Sequence, residues 1–170
     1  QAQVSPPQNV RLFSKSPLTL RDFTYRGMFK VPADNYLVTR FGFSFARLSG
    51  RRVGNDIRLF LTGSKPDGWN EPVYELDFPG YGSSLATCPR ASLLRDWGPV
   101  WGTRRITKNN AGQSVGGILW GAERNARWWT YGDDYNAAGW WDPSVGCSIL
   151  NDSNGSATAF GPWRTDQPSQ

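Results

Sequence analysis

Glycine and proline punctuate this chain so closely that long helices have almost nowhere to form. There are 19 glycines and 12 prolines in 170 residues. Proline removes a backbone donor and glycine costs backbone entropy in a helix, so the chain is divided into short stretches joined by turns. Many of those stretches carry strand-like side chains. Residues 36–48 read Tyr-Leu-Val-Thr-Arg-Phe-Gly-Phe-Ser-Phe-Ala-Arg-Leu. Period two puts Phe41, Phe43 and Phe45 on one face of a pleated strand and Gly42, Ser44 and Ala46 on the other. Residues 73–78 alternate as well, with Val73, Glu75 and Asp77 on one face and Tyr74, Leu76 and Phe78 on the other.

The same reading expects strands at 10–13, 18–32, 57–63, 100–107, 115–119, 127–131, 145–150 and 157–163. It expects a basic turn at 49–56, further turns at 64–72, 122–125 and 151–155, and one short helix at 86–96 with Leu93 and Leu94 packed inward. A chain of 170 residues is one domain or a piece of a larger protein. Aliphatic residues are few, but aromatics make up 14% of the chain, and each one buried removes roughly 150–250 Å² from water.

Absences narrow the chemistry. The chain has no histidine, which removes Ser-His-Asp and Cys-His catalysis and the common zinc sites. It has neither a phosphate-binding Gly-x-x-x-x-Gly-Lys-Ser/Thr loop nor a strand-coupled Gly-x-Gly-x-x-Gly turn. The formal charge of +5 comes mostly from arginines spread along the chain, which reads as a solvated surface. No nucleic-acid partner is expected, because no helix-turn-helix pattern, zinc spacing or RNP-like aromatic box accompanies the charge. No apolar run is long enough to predict a membrane span. The polar start Gln-Ala-Gln-Val-Ser-Pro-Pro-Gln reads as a mature terminus left by export, so a secreted or extracytoplasmic protein is expected. In that compartment Cys88 and Cys147, 59 positions apart, are expected to form a disulfide worth on the order of 4 kcal/mol; the alternative is two separate buried thiols. Two short sequons, Asn151-Asp-Ser and Asn154-Gly-Ser, matter only in a source that glycosylates proteins.

Chemistry-bearing residues concentrate in 118–143, which holds five of the nine tryptophans, two tyrosines and three aspartates. An aromatic strand there leads into an acidic, Asn- and Gly-containing loop. The candidate ligand-binding set is Trp128, Trp129, Tyr131, Asp133, Asp134, Tyr135, Asn136, Trp140, Trp141 and Asp142. Broad aromatic faces beside hydrogen-bonding side chains suit a glycan or another polar ligand. The bland alternative is a tryptophan-filled β core, in which one member of each Trp-Trp pair is buried. Asp133, Asp134, Asn136 and Asp142 form a calcium candidate without the EF-hand spacing, and turn chemistry explains the same residues. A glycosidase-type carboxylate pair would be drawn from Glu75, Glu123, Asp133, Asp134 and Asp142. No other cofactor is expected.

Two parts of the chain echo one another. In the first, Phe41-Gly42-Phe43-Ser44-Phe45 precedes Arg58-Leu59-Phe60-Leu61-Thr62-Gly63, a loop and Pro72-Val73-Tyr74-Glu75-Leu76. In the second, Gly116-Gly117-Ile118-Leu119-Trp120 precedes Arg127-Trp128-Trp129-Thr130-Tyr131-Gly132, a loop and residues 143–150. The offset is about 70 residues, longer than common blade repeats. This order resembles the blades of β-propellers in general. The resemblance implies an all-β, antiparallel, blade-like fold, a partial β-propeller of about two blades, with a β-sandwich as the alternative. The expected layout is a flexible arm at 1–9, blade-like units at 10–84 and 85–163, and a loose tail at 164–170. About two blades cannot close a ring, since propellers have four to eight. Self-association, or the remainder of a longer chain, would then cover the open faces; a sandwich needs no partner.

The expected function is therefore a secreted, non-catalytic β domain for binding or assembly, with a carbohydrate-binding, lectin-like module as the leading form. The alternatives are a structural subunit of an oligomer, filament or longer chain, and a carboxylate-based glycan hydrolase or lyase.

Overall fold

The structure is a computed structural model and describes residues 19–33, 41, 47–63, 72–101, 113–133 and 145–163. Its strands form two four-stranded sheets. The first contains β1 (Leu48–Val53), β2 (Asp56–Thr62), β3 (Pro72–Asp77) and β4 (Leu93–Pro99). The second contains β5 (Gln113–Gly121), β6 (Ala126–Asp133), β7 (Val145–Asn151) and β8 (Ser156–Trp163). Each sheet is an antiparallel meander in chain order, so the fold is all-β with blade-like sheets.

Local chemistry explains the turns. Val53 pairs with Asp56 across a two-residue loop, and Gly54 supplies the positive φ such a hairpin demands. A 3-10 turn, Ala122–Arg124, joins β5 to β6 and ends on Asn125 in the left-handed region, which asparagine tolerates better than most residues. At the β7–β8 tip the Gly155 N–H donates to the Asn151 carbonyl at 2.9 Å.

Strand parity sets the layers. The register aligns Ser49, Phe60 and Glu75 on one face of the first sheet. It aligns Trp120, Arg127 and Ser148 on one face of the second. These faces meet. Phe60, Val73, Trp97, Val100 and Trp101 pack with Val115, Trp129 and Leu150 in one buried cluster, edged by Ile118, Trp120 and Ala157. Strands β2 and β6 meet across this seam: Phe60 packs in the same cluster as Trp129, and the Arg127 guanidinium stands over the Phe60 ring. Hydrogen bonds tie the edges. Arg47 Nε donates to the Val115 carbonyl at 2.8 Å, and the Trp120 N–H donates to Ser49 Oγ at 3.1 Å. Full burial of side chains such as Phe60 and Val73 contributes about 1.5–3 kcal/mol each.

The opposite face of the first sheet is covered too. Leu61, Tyr74 and Leu76 pack with Phe41 and Ala91, flanked by Phe29 and Leu59. Phe29 arrives on an extended segment pinned by the bridges Met28↔Gly82 and Lys30↔Arg90. Edge-on ring contacts continue from Phe29 to Phe78 and on to Tyr81.

Several expectations need correction. The expected helix at 86–96 is instead an irregular connection followed by β4, which pairs with β3. Leu93 and Leu94 are exposed, while Trp97 is the buried member of that strand. The expected basic turn at 49–56 is mostly strand β1, and Arg51 points into the core because Glu75 waits there. Of the strand expected at 18–32, the described residues 19–32 supply two isolated bridges and a 3-10 turn at Leu20–Asp22, not a strand. The first sheet takes in β4, and the two sheets divide between Pro99 and Gln113. Cys88 and Cys147 are both buried free thiols, not a disulfide. Cys88 lies in the β3–β4 connection and Cys147 in the middle of β7, one attached to each sheet. The expected strand at 10–13 and most of those at 36–48 and 100–107 lie outside the described residues, as do the arm at 1–9 and the tail at 164–170.

Candidate functional site

Adjacent residues of a strand face opposite ways, and this separates Trp128 from Trp129. Trp129 is buried in the seam, where its Nε1 donates to Ser148 Oγ at 3.0 Å and that hydroxyl donates to the Val100 carbonyl at 2.6 Å. Gly146 stands opposite Trp129 because a Cβ there would run into the indole ring. Trp128 lies on the outer face, across Gly121, and is 37% exposed. The two rings therefore cannot grip one ligand. Tyr131 and Asp133 belong to β6, while Asp134, Tyr135, Asn136, Trp140, Trp141 and Asp142 lie outside the described residues. Among the described residues no cluster of three metal-ligating side chains occurs.

The structure brings together two other sets of residues. The first is an outer row across the second sheet: Leu119 opposite Trp128, Trp128 opposite Cys147, Cys147 opposite Phe160. Leu119 is 68% exposed, Phe160 42% and the neighbouring Ile149 38%. The exposed threonines Thr130 and Thr158 share this face. Cys147 is shielded by its neighbours, and burial pushes its thiol pKa up against a smaller opposing effect of Arg124. An open groove of about 560 Å³ leads from Ile149 and Phe160 to Asn125 and Asp152. The parity of residues 127–131 and 145–150 was enough to find this row; which of the two faces stays open was not written there.

The second set is a charged layer inside the seam. Arg51 Nε and Nη2 donate to Glu75 Oε1 at 2.9 and 2.7 Å. The same guanidinium reaches Asp152 on the β7–β8 tip, Nη1 to Oδ2 at 3.1 Å and Nη2 to Oδ1 at 2.6 Å. Trp97 Nε1 donates to Glu75 Oε2 at 2.9 Å, and Arg58 Nη1 stands 3.6 Å from Oε1. Asn125 Nδ2 donates to the Leu150 carbonyl at 2.7 Å and to Asp152 Oδ2 at 3.1 Å, holding the tip in place. Phe60, Trp97 and Trp120 surround Arg51, their centroids 5.2–5.8 Å from its Cζ. Burial works against the charge on Arg51, yet hydrogen bonds to Asp152 and Glu75 outweigh it and raise its pKa. The hydrogen bond from Arg51 holds the Asp152 carboxyl below the usual carboxylate range.

Glu75 is thus a buried counter-ion. Both oxygens are engaged away from solvent, so it does not serve the carboxylate pair for which it was a candidate. Glu123 is exposed on the β5–β6 turn, remote in role from Glu75. The buried ion pair had no local signal, because its members stand 24 and 101 positions from Arg51.

Compared with known proteins, the chain matches no family model, and no curated protein or solved structure is significantly similar to it. No helix among the described residues is long and apolar enough to cross a membrane.

Proposed function

We propose that this is a non-catalytic β domain for binding or assembly, and that the outer face of its second sheet is the recognition surface. The observation that carries the reading is the row Leu119, Trp128 and Phe160, with Ile149 beside it, exposed on an ordered sheet. Contiguous apolar area on a sheet face marks a place where another surface is meant to sit. The mixture of leucine, isoleucine and aromatic side chains is that of a protein core, so the favoured occupant is a second copy of this chain. One chain already joins two such sheets through corresponding faces, and a two-fold pairing of the outer rows would extend that principle.

A glycan is the second reading. The half-exposed ring of Trp128 and the threonine hydroxyls beside it offer a flat stacking surface with hydrogen-bonding neighbours.

Sedimentation and light scattering of the wild-type chain and of a Leu119→Ser/Phe160→Ser variant test the proposal. Self-association that disappears in the variant, with unchanged thermal stability, supports assembly. A monomer that retains soluble glycans through Trp128 moves the conclusion to the second reading. A monomer that binds neither glycans nor itself sinks both.

A further inference from the structure

We propose that the layer between the sheets binds a small monovalent anion, of halide size, against the guanidinium of Arg127. Arg127 lies on the inner face of β6 and has no solvent exposure. Among the described residues its Nε, Nη1 and Nη2 find no hydrogen-bond acceptor. The phenyl ring of Phe60 and the indole of Trp97 stand 5.7 and 5.8 Å from its Cζ. Rings attract the cation through their π faces but accept nothing from five N–H donors that lie in the guanidinium plane.

The nearby acceptors are already engaged. Glu75 Oε1 takes Arg51, and Oε2 takes the Trp97 indole. The hydroxyl of Ser148, opposite Arg127 in the register, accepts from Trp129 and donates to the Val100 carbonyl. The charge is unevenly shared as well. Arg51 and Arg127 are both buried and, among the described residues, Glu75 is the one buried carboxylate; it and the half-exposed Asp152 both bond to Arg51, and neither bonds to Arg127. A buried charge without a partner costs far more than a paired one. Burial lowers the Arg127 pKa to about 9, opposed in part by Glu75 and Asp96 and reinforced by Arg51, so the side chain keeps its charge at neutral pH. One monoanion supplies both the missing acceptor and the missing negative charge. A halide is the smallest such anion and accepts from any direction, which suits a position with no solvent exposure.

The test is thermal unfolding in sodium chloride, bromide and gluconate at equal ionic strength, alongside the chloride NMR linewidth. Chloride and bromide are expected to raise the melting temperature by a few degrees over gluconate, saturably, because a ligand that binds only the folded state stabilises it. Protein is expected to broaden the chloride line and bromide to narrow it again by displacement. Both effects vanish in Arg127→Met, an apolar side chain of similar length. Should that variant not fold, the bromide displacement in the wild-type protein decides by itself. Equal melting in chloride and gluconate overturns the proposal, as does a halide effect of the same size in Arg127→Met.

Discussion

In the first sheet Leu59 and Leu76, the middle of the row Gly50, Leu59, Leu76 and Leu93, lie beneath a cover while the ends of the row are exposed; in the second the row Leu119, Trp128, Cys147 and Phe160 has no cover among the described residues. The two rows hold matching places in sheets of identical strand order. What differs is the company. The extended segment at Met28–Lys30 and the ring of Phe41 reach the first sheet, and Tyr74 and Leu76 become fully buried. The inner faces differ as well: the first contributes Arg51 and Glu75, the second mostly rings and small side chains around Arg127. A sheet's own sequence sets which residues share a face. What lies on that face is decided by distant parts of the chain, or by other molecules.

Substitutions can break this comparison at its strongest point first. Glu75→Leu removes the counter-ion of Arg51 and the acceptor of Trp97, and is expected to cost about 3–5 kcal/mol in urea unfolding. Next comes the direct contrast of the outer rows. Leu76→Ala is expected to cost about 2–5 kcal/mol, as for a buried leucine. Leu119→Ala is expected to change stability by no more than about 0.5 kcal/mol in the monomer. Equal effects at the two positions would mean that the second outer face is covered after all.

A smaller loss sharpens the inner-face contrast. Gly146→Ala drives a methyl into the Trp129 ring and is expected to cost about 1–3 kcal/mol, with a shift in tryptophan fluorescence. The smallest effect is one of pH. Asp152 is held below its unfolded value, about 3.9, by Arg51. Its contribution is therefore fully present above that value and fades as pH falls through the folded one. Asp152→Asn is expected to flatten the acid limb of the urea midpoint against pH, while leaving the neutral limb lower and parallel.

Much of the architecture was legible because period two is a local property. The alternation at 73–78 and the opposed facing of Trp128 and Trp129 needed no knowledge of the rest of the chain. The failures share one cause: partners far away in sequence. Leu93 and Leu94 fit a helical pattern locally, yet pairing with β3 claims that stretch as a strand. Arg51 reads as a turn residue until Glu75 and Asp152 are placed beside it. Two cysteines, together with the expectation of export, point to a bridge, but each is attached to a different sheet. The candidate ligand set is dense along the chain, but strand parity divides its first two members, Trp128 and Trp129, between opposite faces.

The grip of the β7–β8 tip on Arg51 joins the first strand of one sheet to the last hairpin of the other. Neither half is therefore expected to stand alone. Cut between Trp101 and Gln113, the chain would yield two pieces, each with a raw aromatic wall and, on one side, a stranded ion. Mixed together, such pieces should recombine without a covalent link, in the manner of a split reporter whose two parts light up only when they meet.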